Sequence, residues 1–258
     1  MKKILPLGVF VFLFFACSDT TSVVEVSSPF ESSQDPEQLD DEEEESEYDS
    51  DMGTLKDNRD GQTYRVVTIG KQTWMAENLN YADSNAMPNL VGASWCGGGD
   101  DYEENDCDTY GRLYTWTAAV NKDESECGYG KKCKLKRPVR GVCPAGWHLP
   151  SIKEWETLLT AVGNKEGYAL EKLKSTSGWY DGGNGTDEYG FSILPANTFH
   201  EDHYDFVAYS NAFFWSSTEL DEYENANCWG FNYKNEKAIW LPSNTSKKSG
   251  LSVRCIKN

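Results

Sequence analysis

The middle of the chain has a helical pattern of hydrophobic residues. The apolar positions are Ile152, Trp155, Leu158, Leu159 and Val162. Intervals of three and four residues place such positions on one face of an amphipathic helix. A capping box, Ser151-x-x-Glu154, stands at the start of the run, and Gly163 follows it. The pattern predicts a helix over 151–162.

Shorter elements are predicted before and after this helix. A β-rich run at 64–69 is followed by Gly70-Lys71 and then by a second such run at 72–75. Two β-rich runs joined by a tight turn are typical of a hairpin, which we predict over 62–79. Residues 113–120 predict a short helix, and residues 168–174 predict one or two helical turns.

The last third of the chain changes to the short apolar runs that are typical of strands. These runs are 191–194, 213–217, 228–233, 238–241 and 251–256, and Gly, Asn, Asp and Ser cluster between them. In one run Trp229, Phe231 and Tyr233 alternate with other residues, so they share one face. The pattern predicts an α+β fold with short helices in the N-terminal half, an antiparallel sheet of short strands in the C-terminal half, and long loops.

The N-terminus predicts export. Lys2-Lys3 precedes an apolar run at 4–16, which is too short to span a bilayer and has the length of a signal sequence. Cys17 follows directly, behind a small residue, in an arrangement that resembles a bacterial lipobox. We expect 1–16 to be a signal peptide and Cys17 to carry the lipid of an outer-membrane lipoprotein exposed at the cell surface. The alternative is an ordinary signal peptide with an incidental cysteine.

The acidity of the chain is concentrated in one segment. The net charge is −18, to which residues 1–17 contribute +2, residues 18–57 contribute −14 and residues 58–258 contribute −6. Asp40 to Glu45 are six consecutive acids, and such a run cannot bury enough surface to fold. We expect 17–57 to be a spacer and 58–258 to be one domain; the alternatives for the run are Ca²⁺ binding or a basic partner. A chain this acidic, with no basic stripe available to replace phosphate counterions, predicts no nucleic-acid partner.

Cysteine spacing predicts disulfides in an exported chain. Cys96 and Cys107 flank one loop, and Cys127 and Cys133 flank another, so we expect two local disulfides. A zinc site is the competing interpretation, but no CxxC pair or His cluster accompanies the cysteines. The remaining cysteines are Cys143, Cys228 and Cys255. Cys228 lies in a predicted strand interior and is expected to be unpaired and buried, with a reactive thiol as the alternative.

Candidate metal and catalytic residues each have a simpler explanation. The loops 100–108 and 181–188 are rich in oxygen ligands for Ca²⁺, but neither has EF-hand spacing, and their Asp-Gly and Asn-Gly pairs are ordinary turn chemistry. His200-Glu201-Asp202-His203 lacks the HExxH spacing of a zinc site. We expect His148, at the entrance of the predicted helix, to brace a loop. No cofactor is predicted, although Ca²⁺ remains an alternative.

Aromatic residues near polar loops are the better candidates for ligand binding. The candidates are Trp179, Tyr180, Trp229 and Trp240. An exposed aromatic ring beside amide groups can stack on the face of a sugar and bind its hydroxyls. The alternative is that these rings fill the core of a chain that is poor in Leu and Ile.

Several blocks of the chain, in order, resemble the Fibrobacter succinogenes major paralogous domain. The blocks are 64–81, 110–116, 143–150 (Cys-Pro-Ala-Gly-Trp-His-Leu-Pro), 187–192, 214–219 and 250–257, so the similarity covers about 60–257. The resemblance implies a fold similar to C-type-lectin-like domains and to formylglycine-generating enzymes. In such folds the chain ends meet, which implies a Cys143–Cys255 disulfide. It also implies exported, often lipid-anchored proteins, without a settled activity.

The resemblance does not extend to a known sugar or catalytic mechanism. The Glu-Pro-Asn and Trp-Asn-Asp motifs of calcium-dependent lectins are absent, and 241–244 is the nearest Pro-containing loop. We therefore expect a non-catalytic binding or adhesion module with a glycan, plant-polysaccharide or surface-protein ligand. The alternatives are a structural or protein-interaction role in the envelope and, further away, an enzyme of the formylglycine-generating type that uses Cys228.

Overall fold

Two β-sheets form the framework of the protein. The computed structural model describes residues 53–98, 106–163, 169–199, 208–220, 223–234, 239–241 and 245–258, with only the backbone described at 169 and 239–241. The described strands are β1 Gly53–Lys56, β2 Thr63–Ile69, β3 Gln72–Met75, β4 Ser94–Cys96, β5 Arg112–Tyr114, β6 Trp147–His148, β7 Asn211–Glu219, β8 Ala226–Asn232, β9 Ile239–Leu241, β10 Leu251–Ser252 and β11 Ile256–Lys257. The described helices are α1 Cys107–Tyr110, α2 Trp116–Ala119, α3 Glu124–Cys127, α4 Ile152–Ala161 and α5 Ala169–Leu173, with 3₁₀ turns at Pro88–Leu90 and Tyr180–Gly182.

The first sheet joins the two ends of the described chain. Its strand order is β1-β2-β3-β11-β6, and all its pairs are antiparallel. The predicted hairpin is confirmed as β2 and β3, with Gly70 in the left-handed region at the turn (φ +61°). Ile256 of β11 lies opposite Trp74 of β3. Strand β1 belongs to this sheet, so the folded domain starts earlier than the predicted boundary at residue 58.

The second sheet is larger and carries strands from both halves of the chain. Its order is β4-β5-β10-β7-β8-β9, and the β10–β7 pair is the parallel one. The antiparallel sheet is therefore not confined to the C-terminal half, as the sequence pattern predicted. The predicted strand at 251–256 is two short strands in different sheets, because residues 253–255 carry the chain from one sheet to the other.

Aromatic side chains fill the interior on both sides of the second sheet. Trp229 and Phe231 of β8 pack in one hydrophobic cluster with Trp155 of α4, whereas Cys228 packs in the other cluster with Trp215. Both faces of β8 are thus covered. Aromatic rings contact one another in this core; Trp74 and Trp155, for example, lie at a ring-centroid distance of 4.8 Å.

The helix predicted at 151–162 is confirmed as α4. Ser151 and Glu154 form the complete capping box, and Trp155, Leu158 and Leu159 are buried. The helical turns predicted at 168–174 correspond to α5. The helix predicted at 113–120 is only partly correct, and the strand predicted at 191–194 is wrong. The first segment is strand β5 followed by α2, and the second forms a lone bridge from Ile193 to Lys174, since Ser192 has a positive φ of 52°.

Three disulfides join distant and local parts of the domain. Cys96–Cys107 and Cys127–Cys133 are the two local pairs expected from spacing. Cys143–Cys255 is the pair implied by the family resemblance, and it joins the segment before β6 to the segment before β11. Cys228 is the free, buried cysteine of the described residues, as predicted.

The described residues all belong to one compact unit, 47–258. The predicted signal peptide, the predicted lipidation site Cys17 and the acidic run at 40–45 lie outside the described residues. Within the described ranges, no helix has the length and apolar character needed to cross a membrane.

Candidate functional site

The structure buries two of the four aromatic residues that were expected to bind a ligand. Trp179 is 5% exposed, and its indole N–H donates to Ser175 Oγ and to the Ile193 carbonyl at 3.1 and 3.0 Å. Trp229 is 7% exposed because β8 is covered on both faces. The expectation that these rings stack on a ligand is wrong for both residues, since their faces pack against protein.

The other two candidates differ from each other. The backbone of Trp240 lies in β9, but its side chain is outside the described residues. Tyr180 is 46% exposed and lies in a 3₁₀ turn beside Tyr233, with the two rings edge to face at 5.3 Å. Tyr180 is therefore the predicted ligand residue that the structure leaves accessible.

Tyr180 belongs to a set of six accessible rings, which we call the aromatic row. Its members, in the order in which they are connected, are Trp95, Phe199, Tyr110, Tyr209, Tyr180 and Tyr233. Three pairs of rings are in contact: Trp95 stacks on Phe199 at 3.8 Å, Tyr110 lies 5.7 Å from Tyr209, and Tyr180 meets Tyr233. Five of the six side chains are partly exposed, and Tyr180 is the most exposed of them.

Backbone contacts join the three pairs. The Tyr180 N–H donates to the Tyr209 carbonyl at 2.9 Å, and the Tyr233 N–H donates to the Ser210 carbonyl at 2.8 Å. Gly97 lies between the first two pairs, where a Cβ atom would be 3.1 Å from Tyr110 Cβ. The six rings are therefore held by strand ends, a short helix and turns of one domain.

A polar cleft of about 190 Å³ is lined by the residues on either side of Tyr110 in the chain, Thr109 and Gly111. Its walls come from the hairpin, from α1 and from residues 192 and 194. Asp108 and Thr109 of α1 line the cleft, and the next residue is Tyr110 of the row. At the mouth, Arg65 and Glu77 form a half-exposed ion pair at 3.2 Å. The cleft therefore offers hydrogen-bonding groups beside the helix that carries Tyr110, although none of the six rings lines it.

Arg254 forms the buried floor of this cleft. Its guanidinium donates to Asn78 Oδ1 at 2.9 Å, to the Ser192 carbonyl at 2.8 Å and to the Phe191 carbonyl. Burial, with a smaller effect from Arg65, lowers the pKa of Arg254 to about 9, so the group stays charged at neutral pH. These bonds fix the Phe191–Ser192 backbone to the strand-crossing segment at the C-terminus.

The oxygen-rich loops use their side chains to hold turns. Asp187 accepts hydrogen bonds from the backbone N–H and the hydroxyl of Ser192, and Asn184 Oδ1 accepts from the Trp179 N–H at 3.0 Å. Asp106 caps α1 by accepting from the Asp108 and Thr109 N–H groups. Residues 99–105 and 200–207 lie outside the described part. Within that part, no group of three His, Cys, Asp or Glu side chains is placed to hold a metal ion.

His148 braces the chain end, as expected. Its Nε2 lies 2.8 Å from Glu154 Oε1, and its Nδ1 lies 2.7 Å from Asn258 Oδ1. The hydrogen bond to Glu154 is the main cause of a raised pKa at His148. Hydrogen bonds from His148 and Ser151 outweigh burial and lower the pKa of Glu154 to about 2. Ser151 bonds to the carboxylate and not to the imidazole, so the group has no nucleophile-activating geometry.

The Cys228 thiol is closed off from reaction. It is fully buried and lies 3.1 Å from the Thr245 hydroxyl. Burial raises the pKa of Cys228 to about 11, so the thiol is protonated at neutral pH. A nucleophilic cysteine needs the thiolate form and access to solvent.

The structure has a basic surface that was not predicted from the sequence. Six residues within 131–140 are basic and exposed, and we call them the basic strip: Lys131, Lys132, Lys134, Lys136, Arg137 and Arg140. The statement that the chain has no basic stripe was wrong, because the strong overall acidity concealed this local run. Within the described residues, no member of the strip forms an ion pair with a carboxylate.

The comparisons with known proteins give a family and no further relative. A family model described as the Fibrobacter succinogenes major domain matches residues 67–257. No curated protein and no solved structure matches the chain. The aromatic row, the polar cleft floor and the basic strip all lie within the matched residues.

Proposed function

We propose that this chain, which belongs to the Fibrobacter succinogenes major domain family, is a non-catalytic binding module of the bacterial cell surface that holds a glycan chain. The observation that carries the proposal is the aromatic row. Six rings that are partly or fully accessible lie in three contacting pairs, which is more aromatic surface than a single small ligand needs. A neutral plant polysaccharide, such as cellulose or xylan, is the expected ligand.

The chemistry of the row suits a polysaccharide. The C–H-rich faces of sugar rings pack on aromatic faces, and amphipathic Tyr and Trp side chains can also bond to hydroxyls. The polar cleft beside α1 supplies Asn, Thr, Asp and Arg groups that sugar hydroxyls can pair with. No metal ion is needed for this mode of binding, which differs from that of calcium-dependent lectins.

Export and membrane anchoring complete the proposal. Three disulfides are typical of a protein outside the reducing cytoplasm. Lipidation of Cys17 would place the domain at the outer membrane, with the acidic segment as its spacer. The fold is proposed to be C-type-lectin-like, which is supported by the pairing of β11 with β3 and by the Cys143–Cys255 disulfide.

A protein ligand is the second candidate. Tyr and Trp are also enriched in the central parts of protein interfaces, so an envelope protein could pack on the same rings. Cross-linking on intact cells followed by identification of the partner separates this possibility from a glycan ligand. A reproducible partner that is lost with Tyr180→Ala would favour the protein interface.

Binding to insoluble polysaccharide tests the proposal. The purified full chain is mixed with cellulose, xylan and an inert resin, and the bound fraction is measured as a function of protein concentration. Tyr180→Ala is expected to weaken binding about fivefold or more, since an aromatic contact contributes about 1 kcal/mol. The matched control is Tyr129→Ala, because Tyr129 is 48% exposed but lies outside the row, where its hydroxyl bonds to Glu224. Equal losses in both variants, or no binding to any glycan, would reject the proposal.

A further inference from the structure

The basic strip presents its lysines on one side of the chain. In the segment 132–136, Lys132, Lys134 and Lys136 are exposed, whereas Cys133 and Leu135 pack toward the first hydrophobic cluster. Alternation with a period of two is the pattern of an extended segment, in which successive outward side chains are about 6.5 Å apart. The three lysine side chains therefore leave the chain on the same side, and we call them the lysine series; the Lys132 ammonium lies over the Tyr223 ring at 5.3 Å.

The backbone under this series is held in place. Lys247 Nζ donates to the Lys131 carbonyl at 2.8 Å, and the Cys133 N–H donates to Glu219 at 3.0 Å. Lys247 and Glu219 also form a buried ion pair at 2.6 Å, so the Glu219 carboxylate is already paired with a cation outside the strip. The Cys127–Cys133 disulfide closes the same loop. A surface that is already ordered loses less entropy when it binds.

Among the described residues, the charge of the strip is only partly matched: Arg140 helps to lower the pKa of Asp57, and no member of the strip forms a close ion pair. Lys131 donates to the Ser125 carbonyl at 2.8 Å, and Arg137 lies 3.4 Å from Ser217 atoms, so their hydrogen-bond partners are neutral. Arg140 donates to the Cys143 carbonyl and borders a hollow of about 500 Å³. The acidity of the whole chain does not cancel this field, because charges more than about 8 Å apart are largely screened at physiological salt.

We propose that the basic strip is a second binding surface, which takes a linear polyanionic polysaccharide through its carboxylate groups. The lysine series lies along an extended segment and fits a linear polymer of charged sugars, a polyuronate, and lysine acts as a point charge that requires no fixed acceptor geometry. The disulfides place the domain where such polymers occur and nucleic acids are scarce. The surface is separate from the aromatic row, so it does not depend on the neutral-glycan proposal.

The test compares two triple variants of the full chain that lose the same charge. Lys132→Gln/Lys134→Gln/Lys136→Gln removes the series, and Lys56→Gln/Lys71→Gln/Lys153→Gln removes three exposed lysines elsewhere. Affinity for polygalacturonate is measured by calorimetry at 50 and 200 mM salt. The first variant is expected to bind at least about 10-fold more weakly than the second at 50 mM, since each lysine near an anionic surface contributes about fivefold. Binding of the unchanged chain should weaken on the order of 10-fold at 200 mM.

Further measurements show which polyanion is bound and whether the basic strip and the aromatic row bind their ligands independently. Tyr180→Ala is expected to bind polygalacturonate as tightly as the unchanged chain does. The variant Lys132→Gln/Lys134→Gln/Lys136→Gln is expected to bind neutral glycans as tightly as the unchanged chain does. Double-stranded DNA and vesicles of anionic phospholipid are measured beside polygalacturonate. Tighter binding to DNA or to vesicles, equal losses in the two triple variants, or no binding to polygalacturonate would each overturn the proposal.

Discussion

At the scale of single residues, burial decides which reactive groups are available. Cys228 is fully buried and hydrogen-bonded to Thr245, and its thiol pKa is raised to about 11. Arg254 is also buried, but its donors are matched by carbonyl and amide oxygens. Both residues lie in the core or under the cleft, and each is better explained by packing than by chemistry.

Cys228 should resist alkylation in the folded protein. At pH 8 the folded chain is expected to show almost no iodoacetamide label at Cys228, because reaction requires an accessible thiolate. After unfolding without reductant, the same residue should be labelled fully. Peptide mass spectrometry measures the labelled fraction and distinguishes Cys228 from Cys17. Rapid labelling of Cys228 in the folded chain would contradict its burial and would revive the thiol-enzyme alternative.

The residue-level predictions from sequence were correct where local chemistry decided the outcome. Cys228 was expected to be unpaired because it lies in a predicted strand interior, and His148 was expected to brace a loop at the entrance of a helix. Trp179 and Trp229 could not be assigned in this way, because exposure depends on which elements cover a ring. A chain with few Leu and Ile residues uses its Trp side chains in the core.

At the scale of elements, α4 is tied to the C-terminal strand. His148 of β6 contacts Glu154 in the first turn of α4 and Asn258 after β11. The capping box uses the other Glu154 oxygen, which accepts from the Ser151 backbone and hydroxyl. This shared carboxylate links the helix start to the sheet, so its ionisation affects both elements.

The stability of this link should depend on pH in a defined direction. The pKa of His148 is raised in the folded state, so its contribution is complete below about pH 6.5 and is lost as the pH rises through the folded pKa. The pKa of Glu154 falls from 4.5 to about 2, so its contribution is present above pH 4.5 and is lost as the pH falls toward 2. The link is therefore strongest between about pH 4.5 and 6.5.

Denaturant unfolding at several pH values measures this effect. Between pH 6 and 9, the free energy of unfolding should fall more in the unchanged chain than in His148→Gln, which is uncharged at every pH. Between pH 5 and 3, it should fall more in the unchanged chain than in Glu154→Gln. Identical pH profiles for chain and variants would show that the link does not stabilise the fold.

Elements with strong local signals were predictable, and elements made by distant pairing were not. The hairpin has a turn sequence, and α4 has a capping box and a periodic apolar face. In contrast, 251–256 appeared to be one strand because nothing in its sequence shows that residues 253–255 cross between sheets. The aromatic row has no sequence signal, since its six rings come from six separate segments.

At the scale of the whole molecule, the three disulfides close loops of very different length. Cys143 and Cys255 are 112 residues apart, whereas Cys127 and Cys133 are 6 apart. Loop-closure entropy predicts a loss of about 5 kcal/mol in the free energy of unfolding for Cys143→Ala/Cys255→Ala, and of about 2.5 kcal/mol for Cys127→Ala/Cys133→Ala.

Equilibrium unfolding in urea compares the two double variants. The greater loss is expected when the long loop is opened, because the unfolded chain then gains more conformational freedom. Cys127→Ala/Cys133→Ala serves as the control for removing a buried disulfide, since both pairs have buried sulfurs. A smaller loss for Cys143→Ala/Cys255→Ala than for the short loop would contradict this account of how the chain ends are held.

If the aromatic row is the glycan-binding surface, a bound glycan should protect its tyrosines from chemical labelling. Tyrosines of the full chain are nitrated with and without a saturating cellulose- or xylan-derived oligosaccharide, and each site is quantified by mass spectrometry. Tyr180 is expected to lose reactivity on binding, followed by Tyr110, Tyr209 and Tyr233, whereas the equally exposed Tyr129 should be unchanged. Unchanged labelling along the row while the oligosaccharide is bound, or protection of Tyr129 instead, would contradict the proposed role of the row.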